Sequence, residues 1–129
     1  MPQYMILIYT PTEGGPPPEE LQAEFPKWMA YTEALQSAGV MVAGDALQPL
    51  DTATTVRVRD GERVVSDGPF AETKELLGGY YIVDVPNLDE ALNWAEKIPS
   101  ATYGSVEVRP VMVFDQPEGA PTAEAGAQA

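Results

Sequence analysis

The chain has 129 residues, 44% of them hydrophobic, with 7 Lys and Arg against 20 Asp and Glu for a formal net charge of −13. That length suits one domain with one core, and the acidity repels nucleic acid phosphates and anionic membrane surfaces, so neither is an expected partner. With no cysteine and no histidine, disulfides, thiolate chemistry, Cys-based zinc sites and the usual neutral-pH general base are excluded.

The opening YMILIYT, Tyr4 to Thr10, is uncharged, β-branched and aromatic, which predicts a central strand buried on both faces or nearly so. Gly and Pro in Pro11 to Glu20 forbid regular structure until Glu19 and Glu20 place negative charge at a helix start. In the helix that follows, Leu21, Phe25, Trp28 and Leu35 fall on one face, and Gly39 supplies a left-handed stop. Pro26 is awkward inside that helix. It either kinks the helix or opens the main helix after a separate turn at Glu19 to Glu24, and the second is the preferred expectation.

Val40 to Leu47 predicts a strand interrupted near Gly44. Thr54 to Gly68 predicts a hairpin turning at Asp60-Gly61, with Arg57 and Arg59 on one face and Val56 and Val58 on the other. Tyr80 to Val85 is a further strand, with Gly78 and Gly79 as the loop exit before it. Asn87 with Glu90 resembles a capping box, and Leu88, Leu92, Ala95 and Ile98 form the expected buried stripe of a second helix. Ser105 to Phe114 is the last strand. Beyond Asp115 the sequence is poor in large apolar residues, so residues 115–129 are expected to be a disordered tail after a domain spanning residues 1–114.

Without the hairpin the order is βαββαβ, a ferredoxin-like α+β arrangement with both helices on one face of an antiparallel sheet. The other face needs cover, and a homodimer packing sheet against sheet is the expectation. No apolar stretch reaches the roughly 20 residues of a membrane span. The start MPQYMILIYT lacks a signal-peptide pattern, so a cytoplasmic protein is expected.

DGPFAETKELLGGYYIVDVPNLDEALNWAEKIP, followed by GSVEVRPV, resembles the DGPF-type branch of the YCII-related (YciI-like) family from about Tyr4 to Phe114. The resemblance implies a dimeric α/β barrel of ferredoxin-like subunits. In the YciI branch a histidine near the start of the first helix, with an acidic partner, suggests an enzyme. The nearest position here is Trp28, so a His-Asp dyad does not carry over. The Thr54 to Ser66 hairpin and the DGPFAETKE loop look like insertions relative to shorter relatives. Some family members are linked with extracytoplasmic-function sigma factors.

The DGPFAETKE loop is the candidate site. Asp67, Gly68, Pro69 and Phe70 are explained by turn geometry and a core anchor, and Thr73 to Leu77 by one short helical turn. Left over are charges of both signs: Asp67 and Glu72 as candidate catalytic carboxylates, and Lys74 with Arg57, Arg59 and Arg63 as local positive potential. Four of the seven basic residues lie within eighteen positions. A small anionic or carboxylate ligand would use Arg57, Arg59, Phe70, Thr73, Lys74 and Arg109, although cross-strand pairing with Asp60 and Glu62 accounts equally for the arginines. No cofactor or metal site is implied. Two functions stay open: a dimeric binding or regulatory module for a small polar ligand or protein partner, and a cofactor-free enzyme using carboxylate acid/base chemistry.

Overall fold

The first strand explains most of the architecture. In the computed structural model, which describes residues 1–69 and 74–114, β1 (Gln3–Pro11) buries Tyr4, Ile6 and Ile8 while Met5, Leu7 and Tyr9 on the opposite side stay half-exposed. The remaining elements are α1 (Pro18–Ser37), β2 (Met41–Ala46), β3 (Thr54–Arg59), β4 (Glu62–Asp67), β5 (Glu75–Asp84), α2 (Leu88–Ala95) and β6 (Ser105–Pro110). Four strands form one sheet in the order β2-β5-β1-β6, and β3 pairs with β4 in a separate ribbon. Every sheet pair is antiparallel. With two helices this is an α+β fold compatible with the ferredoxin-like arrangement.

Residues directly opposite each other share a face. Ile6 lies opposite Tyr81 and Val108, and Tyr4 opposite Val83. These side chains meet Tyr31 and Leu35 of α1, Ala91 and Ala95 of α2, and Ile98 in one core. Ile6, Leu35 and Val83 are fully buried, each worth about 1.5–3 kcal/mol of transfer free energy.

Helix α1 runs unbroken through Pro26, and the proline that opens it is Pro18. The expected separate turn at Glu19 to Glu24 is therefore corrected: Pro18 takes the first-turn position that needs no N–H donor, followed by Glu19 and Glu20 at the positive end of the dipole. Pro26 is exposed and leaves one carbonyl of the preceding turn without its helical donor. The buried face is corrected in part. Leu35 is inside as expected and is joined by Tyr31, whereas Leu21 and Phe25 are exposed. Gly39, at φ 72°, supplies the stop.

In α2 the Asn87 side chain accepts the Glu90 N–H at 2.9 Å, which satisfies one of the free first-turn donors. Ala91, Ala95 and Ile98 are buried, while Leu88 and Leu92 face outward, because small residues let the helix lie close to the sheet. The expected helical turn over Thr73 to Leu77 starts outside the described residues and is strand from Glu75 onward: β5 begins there and carries Gly78 and Gly79 within it, so these glycines are not a loop exit. Two local irregularities follow, one between Ile8 and Tyr9 opposite these glycines and one between Met41 and Ala43. Strand β6 stops at Pro110, four residues short of the expectation.

The ribbon turns at Asp60 and Gly61, both with positive φ. Thr55 donates its hydroxyl to the Gly68 carbonyl at 2.8 Å, and the Gly68 N–H donates to Ala53 at 2.7 Å, so the base of the ribbon is closed. Its valines are exposed: Val56, Val58, Val64 and Val65. Among the described residues no helix is long and apolar enough to cross a membrane.

Candidate functional site: a hollow beside the ribbon and a cleft under the first helix

Two concavities lie at the same end of the sheet, on opposite faces. The first, about 1160 Å³, is bounded by the end of β1, the segment from Leu47 to Ala53, Pro69, and the start of β5. Tyr9 lies opposite Leu77, and Pro11 opposite Glu75, so the hollow opens onto the helix-free face. Its floor is apolar, from Leu50, Leu76 and Leu77, and its charged lining groups are Glu13, Lys74 and Glu75. Backbone bonds fix the rim. The Thr12 N–H and hydroxyl both reach the Lys74 carbonyl, at 2.8 and 3.2 Å, and the Leu47 N–H donates to Gly78 at 2.9 Å. Ser105 donates to Glu75 at 2.6 Å, so one Glu75 oxygen is already engaged.

The sequence-predicted residues are dispersed around this hollow. Lys74 and Pro69 line it. Asp67 ends β4, exposed, and does not line the hollow. Arg57 and Arg59 are on the ribbon, where Arg59 donates to the Val58 carbonyl at 3.0 Å. Arg109 is exposed on the helix-free face, opposite Met5. Phe70, Glu72 and Thr73 lie outside the described residues, as does the expected tail at residues 115–129.

The helix-free face has an apolar centre and polar corners. Met5, Leu7, Ala43 and Ile82 are half-buried there. At one corner Tyr9 donates to Glu107 at 3.0 Å, and at another Tyr80 donates to Asp45 at 2.7 Å. Each carboxylate acts first by accepting the phenol's hydrogen bond, which holds the phenol above the usual tyrosine range.

The second concavity, about 410 Å³, lies between α1 and the covered face. Phe25, Trp28 and Thr32 form its helix wall, and Ile8, Gly79 and Tyr81 part of its sheet wall. Thr32 Oγ1 and the Tyr81 hydroxyl are 2.7 Å apart. Behind Trp28, Glu24 accepts the indole N–H at 2.8 Å and the Tyr103 hydroxyl at 2.8 Å. Desolvation, and then this hydrogen bond, push the Tyr103 phenol well above its ordinary range. Tyr31 is raised mainly by burial, and its hydroxyl donates to the Trp94 carbonyl at 2.8 Å.

Sequence reasoning missed Glu24, Thr32 and Tyr103. The helical period from Phe25 through Trp28 to Thr32 was the available signal for one wall, but the opposing glycines come from two other strands. Of the tyrosines on the sheet, Tyr4 is core, Tyr9 and Tyr80 flank the open face, and Tyr81 lines the cleft. Trp94 packs edge-on against Tyr31 at 6.1 Å, with Lys97 over its ring. Among the described residues no group of three or more carboxylates is arranged to hold a metal ion.

A curated relative, an uncharacterized protein of Rhizobium meliloti (strain 1021), is 49% identical over 70 residues, which is 53% of this chain and 56% of the relative. The match thus spans about half the length of that relative. The sequence profile of the YCII-related domain matches residues 2–115. By that match over nearly all the described residues, the chain belongs to the YCII-related domain family.

Proposed function

We propose that the chain is a homodimeric binding module that takes a small polar ligand in the ribbon-side hollow. The observation that carries this reading is the hollow itself: an apolar floor with Lys74 at its rim, at the end of the helix-free face. Small-molecule sites have this make-up, mostly apolar with a few placed polar groups. In a chain of net charge −13 the ammonium of Lys74 is a local exception, and it suits a carboxylate or phosphate better than a cation. Among the described residues Lys74 forms no ion pair.

Support for the dimer comes from the face that the hollow opens onto. Met5, Leu7 and Ile82 lie at its centre, and a two-fold assembly would bring two copies of this patch together. The ribbon adds to the need for cover. Val56 and Val65 lie opposite each other, Val58 shares their side, all three are exposed, and an isolated two-stranded ribbon is marginal in water. Catalysis by Asp67 is the less favoured reading, because that side chain is exposed and away from the hollow, whereas acid/base work needs reach to a bound substrate.

A thermal-shift screen of the full chain against small carboxylates and phosphates tests the ligand reading, since a ligand that binds only the native state raises the melting temperature. The expected result is a shift for an amphipathic carboxylate or phosphate that Lys74→Gln removes. No shift from any of them, or one that survives Lys74→Gln, would contradict it.

A further inference from the structure

The cleft under α1 differs from the hollow in its chemistry, and we propose that it is a second binding site, for a small neutral aromatic molecule bearing one hydroxyl or carbonyl oxygen. This goes beyond the polar-ligand reading and does not depend on it.

The space arises because two positions of the sheet must be glycine. In the row Ile8, Gly79, Ala46, a Cβ on Gly79 would come within 2.9 Å of the Asp45 carbonyl oxygen. In the next row, Ile6, Tyr81, Gly44, a Cβ on Gly44 would come within 2.6 Å of the Tyr81 ring. Backbone packing and the flat lie of Tyr81 therefore leave the sheet bare under the middle of α1. Opposite this gap the helix presents Phe25, Trp28 and Thr32, at spacings of three and four on one flank. At about 410 Å³ the gap falls in the range of small-molecule sites, about 300–1,000 Å³. Phe25, 64% exposed at its mouth, has an aromatic ring with no core to fill.

Polarity selects the occupant. Among the described residues the lining contains no Lys or Arg, and Asp45, its one carboxylate-bearing residue, turns its side chain to the helix-free face, where it accepts the Tyr80 hydroxyl. With no cation and an acidic chain around it, the cleft disfavours an anion. Its hydroxyl pair suits a neutral oxygen. One proton is used between Thr32 Oγ1 and Tyr81 OH, 2.7 Å apart, which leaves the second hydroxyl proton free to donate and lone pairs free to accept. Trp28 and Tyr81 offer ring surfaces for offset or edge-on packing. The indole is held from behind by Glu24, so that wall is already positioned before a ligand arrives.

The test is titration calorimetry of the full chain with 2-naphthol and, as the charged counterpart, naphthalene-2-carboxylate. Saturable binding of 2-naphthol is expected, with the carboxylate at least about tenfold weaker. Thr32→Val, which keeps the shape and removes one hydroxyl, should weaken 2-naphthol about tenfold. Ala46→Leu, which places a side chain in the cleft from an exposed edge position, should abolish binding and leave the melting temperature within a few degrees of the parent. Absence of saturable 2-naphthol binding, equal affinity for the two probes, or undiminished binding by Ala46→Leu would overturn the site. Full affinity in Thr32→Val would overturn the role given to the hydroxyl pair.

Discussion

The two faces of the sheet are cut from the same strands and are finished differently. On the covered face Tyr4, Ile6, Ile8 and Val83 are buried under two helices. On the other, Met5, Leu7 and Ile82 remain half-exposed inside a frame of tyrosine–carboxylate bonds. An apolar centre with a polar rim is the make-up of an interface. A strand without charged residues on either side thus encodes two surfaces, and among the described residues only one of them is covered by helices.

The largest effect should come from the covered face. Ile6→Ala is expected to lower unfolding stability by about 2–5 kcal/mol in urea titration, because a fully buried side chain leaves a cavity as well as losing its transfer energy. A loss below about 1 kcal/mol would put the core elsewhere. Next is Glu24→Gln, which weakens two charge-assisted bonds, one within α1 to Trp28 and one that ties α1 to Tyr103. A cost of about 1 kcal/mol is expected by the same titration, while the oligomeric state stays as in the parent.

A smaller, graded effect is expected with pH. The phenols of Tyr31 and Tyr103 are raised in the folded chain. Below about pH 10, the ordinary tyrosine value, both folded and unfolded chains keep these protons, so this contribution to stability is fully present. As pH rises above it, the unfolded chain releases them first and stability falls toward the raised folded values. Melting temperatures at about pH 9, 10 and 11 should decline, less steeply for Tyr103→Phe. Equal slopes would assign the decline to other groups.

The order of elements, the ribbon turn at Asp60-Gly61 and the Asn87 cap were legible because each rests on local chemistry: alternation, a positive-φ turn, and a side chain that reaches a free N–H. The buried faces of both helices were legible only in part. Counting hydrophobic residues at helical spacing chose Leu35, Ala95 and Ile98, which are buried, but also Leu21, Phe25, Leu88 and Leu92, all exposed. The true faces are decided by what lies opposite. Alanines let α2 approach the sheet, and glycines on β2 and β5 leave nothing under Phe25. Such facts depend on strands distant in sequence, and no window of α1 or α2 contains them. In the same way, the charge run in its loop pointed to Lys74 as a candidate, whereas Tyr9 and Leu50, which line the same hollow, come from other segments.

The central claim, that the helix-free face is satisfied by a second copy, is tested most directly by sedimentation velocity of the parent chain and Leu7→Asp at micromolar concentration. A dimer is expected for the parent and a folded monomer for Leu7→Asp, since a carboxylate at the centre of that patch would be desolvated without a partner. A monomeric parent, or a Leu7→Asp variant that remains dimeric, would contradict it.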